Sequence, residues 1–404
     1  MNQRNEQKTD TGIQFSSLVK TLRCEDVVQY AGNTELSAAD VPGQVNAALQ
    51  APIDFPPLEA AIVSGDHVAL AVDPNVPQLC DVLLGVMKTI GATDAGEVDI
   101  VLWDEASDAT IADVKDAVGE SANVVRHESS VRESLRYLGA DNDADPIYFS
   151  RPIVDADFVL PIIATRPRDG ATQNDLTGIF PLLADSHTRA RFREKNAWSE
   201  ESQVAMMIGA QLILTITTNA DGHVGEITAS TIYAAQKKIT PTLDAASDSG
   251  APQPLVIASL DGGSQQQTWA NAARAIVAAS HYAENEGTIV LWSDITAPPT
   301  GALAQINNEP GFDEPPSEDE RGDNEDFAPW DASIELAKSI GRIATEYRIM
   351  VHSKLDRETI ETMGLGAVES SDELAQLSQT FDGCGVLQAA QFAGATHCKV
   401  IQNQ

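Results

Sequence analysis

Basic residues are scarce in this sequence. Its 404 residues carry 26 Lys+Arg against 60 Asp+Glu, a formal net charge of −34. A surface that acidic repels phosphate backbones and anionic lipid, which argues against nucleic-acid and membrane-surface partners. Cysteine is scarce as well. Cys24, Cys80, Cys384 and Cys398 include no CxxC pair, too few for a disulfide framework, so reduced thiols are expected. No run approaches the roughly 18–20 apolar residues of a membrane span. The opening MNQRNEQKTDTG is polar and no apolar signal region follows it, which points to a soluble cytoplasmic protein. The usual catalytic signatures are missing too: there is no GxSxG elbow, no Walker loop and no HExxH.

What is present is ample material for a folded core. Apolar residues make up 43% and charged residues 21%, so the chain is neither disordered nor fibrous. Short β-branched runs recur: Val68–Asp73, Val98–Trp103, Phe158–Ile163, Gln211–Thr217, Leu255–Ser259, Thr288–Trp292 and Ile349–His352. They are nearly continuous rather than alternating, the pattern of strands buried on both faces of a parallel sheet. Helix-like stretches lie between them: Pro77–Gly91, Thr110–Val118, Trp269–Ala283 and Asp331–Tyr347, the last opening on an Asp cap. The alternation predicts an α/β protein of two domains with parallel-rich sheets and an inter-domain cleft. A polar break at Asn196–Gln203 suggests residues 1–203 and 204–404. Glu309–Asp326, with nine acids and one Arg, reads as a solvated acidic loop.

Several motif fragments fail on inspection. Asp141–Asp145 has the opening spacing of a calcium loop, but Pro146 and Pro152 stand where Gly and Glu are required. Gly383-Cys-Gly385 lacks the third Gly of a dinucleotide fingerprint, Gln388 standing there, and reads as a turn. The seven histidines include no pair at helical spacing, so they draw no helical metal face.

Ala51–Pro77 (APIDFPPLEAAIVSGDHVALAVDPNVP) combines a Pro-rich opening, a G-D-x-V turn and an apolar strand ending in Asp and a turn Pro. With Val98–Val114, Asp155–Leu160, Thr177–Leu183, Leu255–Gly263 and Gly287–Trp292, it resembles the lactate-racemase-like family over most of the chain. The resemblance implies two α/β domains around a cleft. It also implies racemisation or epimerisation of a small 2-hydroxy acid, by hydride transfer to a lysine-tethered, histidine-ligated nickel-pincer nucleotide, with two histidines as bases.

Placed on the family's positions, Asp73 is the strand-end Asp, while Val76 replaces the motif's Arg. The segment after the second strand, Trp103–Asp108, offers Asp104 and Asp108 but no His. Thr177 stands at the tethering lysine, Lys195 is the nearest lysine beyond it, and His187 is the one histidine near the metal-ligand position. Arg166 and Arg168 follow a parallel strand, where ligand crevices open, and an Arg there holds a carboxylate or phosphate bidentately. Arg274 lies where the family has a basic residue after its Gly-Gly turn. The candidate ligand-binding residues are therefore Asp73, Arg166, Arg168, Asp175 and Arg274, with His187 the candidate metal ligand. No catalytic residue is assigned. The alternative to racemisation is a repurposed homologue that binds a small anionic ligand in the cleft.

Overall fold

The computed structural model describes residues 15–31, 40–165, 178–192, 198–219, 221–235, 237, 251–306, 330–393 and 399–402. Arg166, Arg168, Asp175, Thr177, Lys195 and the acidic segment Glu309–Asp326 lie outside them. After the helix Phe15–Thr21 comes β1 (Asp26–Ala31). Next are β2 (Val68–Val72), β3 (Val98–Leu102), β4 (Asn123–Arg126), β5 (Leu135–Ala140) and β6 (Pro146–Ser150). They are followed by β7 (Phe158–Ala164), β8 (Leu212–Thr218) and β9 (Val224–Thr231). The remainder supplies β10 (Gln253–Ser259), β11 (Ala283–Trp292), β12 (Arg348–His352), β13 (Gly366–Ala367), β14 (Gly383–Leu387) and β15 (Lys399–Gln402).

Two large sheets result. The first has the order β4-β3-β2-β7-β8-β9, parallel except for β9. Its continuous apolar strands are covered on both faces, as their composition requires. Leu70, Val72, Ile100 and Leu102 pack with Val45, Leu49, Leu83 and Val86 of the helices Val41–Gln50 and Leu79–Ile90. Ala69, Ala71 and Val101 turn the other way, against Phe149, Ile153 and Phe180. The second sheet has the order β13-β12-β11-β10-β14-β1-β15, parallel except for β15. Val256, Ile289 and Leu291 meet Ala272, Ile276 and Ile340, while Leu255, Ile257 and Val290 meet Leu18 and Leu374. The chain is thus α/β with parallel-rich sheets, and among the described residues no helix is long and apolar enough to cross a membrane.

Three sequence expectations are corrected. The polar break at Asn196–Gln203 does not divide the sheets: it runs into the helix Trp198–Met207, and β8 and β9 beyond it complete the first sheet. Conversely, β1 from the amino-terminal stretch pairs with β14 and β15 in the second sheet. Gly383-Cys-Gly385 is no turn but the buried strand β14. Its glycines answer to close neighbours, since a Cβ on Gly385 would lie 2.7 Å from the Tyr30 ring. Finally, Cys24 and Cys384 form a disulfide, Cα atoms 6.3 Å apart, which ties the start of β1 to β14. The acidic triplet Asp141, Asp143 and Asp145 forms the β5–β6 turn, where Asp141 Oδ1 accepts the N–H groups of Asp143 and Asp145.

Candidate functional site at the facing strand exits

In an open parallel sheet, ligands lie beyond the carboxyl ends of the strands where strand order reverses. The first sheet reverses between β2 and β7, the second between β10 and β14. Both places carry an aspartate just past a strand. Asp73 is fully buried, and its Oδ2 accepts the Ala164 N–H from the end of β7 at 3.2 Å. Asp261 Oδ2 accepts the Ala389 N–H from beyond β14 at 2.7 Å. The two halves therefore use the same backbone device at equivalent positions.

The exits of the two sheets touch through a buried polar network centred on Asn75. Its N–H and side-chain amide donate to Asp73 Oδ1 at 2.8 and 3.1 Å, in an Asx turn that Asp-Pro-Asn favours. Gln266 Nε2 crosses from the second half to the Asn75 carbonyl at 3.0 Å, and Asn271 Nδ2 reaches Asn75 Oδ1 at 3.1 Å. Thr268 caps the helix Trp269–Ser280, which aims Asn271 and Arg274 at this seam. Arg274, 9% exposed, grips both oxygens of Glu105 from NH2 at 2.7 and 3.0 Å, while NH1 donates to Asn271 Oδ1 at 2.9 Å. Asn75 Nδ2 adds a bond to Glu105 Oε2 at 3.0 Å. Burial opposes the charge on Arg274, but the Glu105 carboxylate and nearby Asp73 outweigh it and hold the guanidinium above its ordinary pKa.

A second charged pair stands beside it. Arg189 NH1 lies 2.5 Å from Asp104 Oδ2, and its guanidinium stacks 4.2 Å over the Trp330 ring. The Trp330 backbone N–H in turn donates to Ser130 Oγ at 3.1 Å. His127, just past β4, is buried and donates from Nε2 to the Ala184 carbonyl at 2.9 Å. Burial, reinforced by the Arg189 charge, lowers its pKa to about 4, so the imidazole is neutral at pH 7.

On the second sheet Ser259 Oγ donates to Asp261 Oδ2 at 2.7 Å, and Gln388 reaches across to Asp221 in the β8–β9 turn at 3.2 Å. Burial pushes the Asp261 carboxyl up against the hydrogen bonds that favour its charge, and Asp221 adds to the rise. Gly222 has φ +74°, and a Cβ there would sit 3.1 Å from Asp261 atoms. The two halves therefore meet backbone to backbone at this point. His352 stacks on Trp292 with ring centroids 3.7 Å apart and donates from Nδ1 to the Val368 carbonyl.

Of the candidate residues read from the sequence, Asp73 and Arg274 are brought together at the seam. Arg166, Arg168 and Asp175 lie outside the described residues. His187 sits half-buried on the helix Ser186–Phe192, from which Arg189 reaches the β3 exit. Asn75, Glu105, Gln266 and Asn271 were missed. The signal for Asn75 was its place two residues after a strand-end Asp. Glu105 lies in the acidic exit segment between Asp104 and Asp108, with no local pattern that sets it apart.

No protein-family model and no curated protein matches the chain. Among solved structures, the lactate racemase apoprotein of Thermoanaerobacterium thermosaccharolyticum is similar, with a TM-score of 0.66 and 14% identity over 92% of this chain and 94% of that one. A protein from Thermotoga maritima matches with a TM-score of 0.60 and 12% identity, over 91% of this chain and 99% of that one. At these identities the likeness is one of architecture: the chain has a lactate-racemase-like fold over almost its whole length.

Proposed function

We propose that this protein binds a small carboxylate ligand between its two α/β halves, with Arg274 as the anchoring cation, and that it does not racemise a 2-hydroxy acid on a tethered nickel nucleotide. One observation carries the reading. The Arg274 fork, buried where the two sheets meet, already holds a carboxylate through two bonds from NH2, beside a donating Asn75 amide. That is the donor set a small carboxylate needs.

The nickel-pincer nucleotide does not fit the residues present. At 177, close to where the resemblance places the tethering lysine, the sequence has a threonine, whose side chain has no nitrogen to form the tether. At the β3 exit Asp104 is paired with Arg189 and Glu105 with Arg274.

Calorimetric titration with L-lactate and with acetate tests the reading, on the wild type and on Arg274→Ala. Saturable binding in the wild type, lost in the variant, is the expected result. In parallel, the protein is produced alongside the cofactor-making enzymes, weighed intact and assayed for D-lactate. The expected mass is that of the unmodified chain, with no turnover. A nucleotide adduct with D-lactate formation would restore the racemase reading in its place.

A further inference from the structure

We infer that Glu105 is the resident occupant of the ligand's carboxylate position, a tethered stand-in that an incoming carboxylate displaces from Arg274. This rests on the carboxylate-binding reading above and adds how the site is filled and gated. Glu105 does not belong to the helix that carries Arg274. It reaches over from the first half, in the segment Trp103–Ser107 between β3 and the helix Asp108–Val118, and its carboxylate ends in the Arg274 fork. NH2 spans both of its oxygens, and Asn75 Nδ2 supports Oε2.

These donors exist independently of Glu105. Arg274 is oriented by Asn271, and Asn271 by Gln266 and Asn75. Asn75 is fixed by Asp73, itself bonded to the end of β7. The fork is thus preorganised by the scaffold, and only its occupant comes from a short connection. The Glu105 side chain is 22% exposed while Arg274 is 9% exposed, so the glutamate is the partner nearer to solvent. Two carboxylates cannot share one fork side by side without repulsion, so ligand binding and the Glu105 contact exclude one another. Because the Glu105–Arg274 pair also bridges the two halves, the exchange swaps a protein clamp for a ligand clamp at the same place.

A site occupied most of the time by its own side chain binds ligand with an affinity reduced by the fraction that is open. Emptying the fork therefore tightens binding, by about tenfold if the open fraction is near a tenth. The experiment measures acetate and L-lactate affinity of the full chain for four proteins: wild type, Glu105→Gln, Asp104→Asn and Arg274→Ala. Asp104→Asn removes a neighbouring negative charge and leaves the fork occupied, so it separates occupancy from general electrostatics. Expected is a gain of about tenfold in Glu105→Gln, little change in Asp104→Asn and loss in Arg274→Ala.

A folding readout accompanies the titrations. The melting temperature of Glu105→Ala should rise saturably with acetate, and not with equimolar chloride, because acetate refills a bidentate carboxylate position. Equal affinity in wild type and Glu105→Gln, or an equal gain in Asp104→Asn, overturns the inference while leaving the carboxylate site in place. Weaker binding in Glu105→Gln overturns it too, by making Glu105 a ligand contact. Absence of binding in every protein overturns the reading of the site itself, and the inference with it.

Discussion

Asp73 and Asp261 occupy matching places, each just past a central strand and each accepting an N–H from the strand exit next door. Their surroundings differ. Asp73 lies beside an amide, Asn75, that links it to Glu105 and Arg274, and its charge helps hold the guanidinium protonated. Asp261 faces another carboxylate, Asp221, and burial raises its pKa. One switch point gathers a cation, Arg274, paired with Glu105; the other is a tight joint where Gly222 meets Asp261. The lesson is that shared backbone architecture sets where a site can be, while the charges brought to it from the facing half set what it binds.

The halves also differ in how they are assembled, and this gives the largest expected effect. The second sheet incorporates β1 from the far end of the chain, stapled by Cys24–Cys384. Cys24→Ser is expected to cost about 2–4 kcal/mol, because the cross-link limits the unfolded chain over a very long loop. Denaturant unfolding with and without reductant checks it. Wild-type stability that ignores reductant would mean the staple contributes nothing.

The first half should carry the acid sensitivity. The unfolded His127 titrates near 6.5 and the folded one at about 4. Between those values the unfolded chain binds the extra proton, so stability falls as pH drops through that window and is unaffected by this group above it. The full shift corresponds to roughly 3 kcal/mol. Stability measured from pH 7 to pH 4.5 should decline less steeply in His127→Asn than in the wild type. Parallel curves would remove His127 from the account.

A sharper version of the comparison replaces each switch-point acid. Asp73→Asn should destabilise by about 2 kcal/mol, since a buried carboxylate accepting several hydrogen bonds loses an acceptor oxygen. Asp261→Asn should be neutral or stabilising at pH 7. A carboxyl whose folded pKa is raised contributes its stability below the unfolded value and loses it as pH rises. The same sign for both variants in chemical denaturation would erase the distinction between the two sites. The smallest effects belong to the helix starts: Ser107→Ala in the first half and Thr268→Ala in the second should each cost about 1 kcal/mol. Both caps accept the N–H three residues on, so unequal costs would show that one helix start is held by tertiary contacts instead.

The seven apolar runs were legible because burial on both faces demands unbroken β-branched sequence, and each became a central strand. Strands without that signature were not. β14 contains two glycines, and what makes Gly385 necessary is the Tyr30 ring, 355 residues away in the chain. β15 is the edge strand of the second sheet, and β1, between β14 and β15, opens on an acid and carries Gln29 among its apolar residues, so neither makes a continuous β-branched run. Of the site, Asp73 was legible as a strand-end acid and Arg274 through the family likeness. Glu105 was one acid among 60, with nothing local to set it apart.

The sequence by itself determined the class of fold, the positions of the central strands and helices, and a strongly negative net charge. These follow from local periodicity and summed charge, which need no knowledge of distant neighbours. The tertiary structure alone decided that Cys24 meets Cys384, that the polar break near residue 200 is no boundary between sheets, and that Glu105 fills the Arg274 fork. Each depends on which residues from remote parts of the chain arrive within hydrogen-bond or bonding distance. Strand order and the packing of one half on the other set that arrival, and no local pattern encodes either.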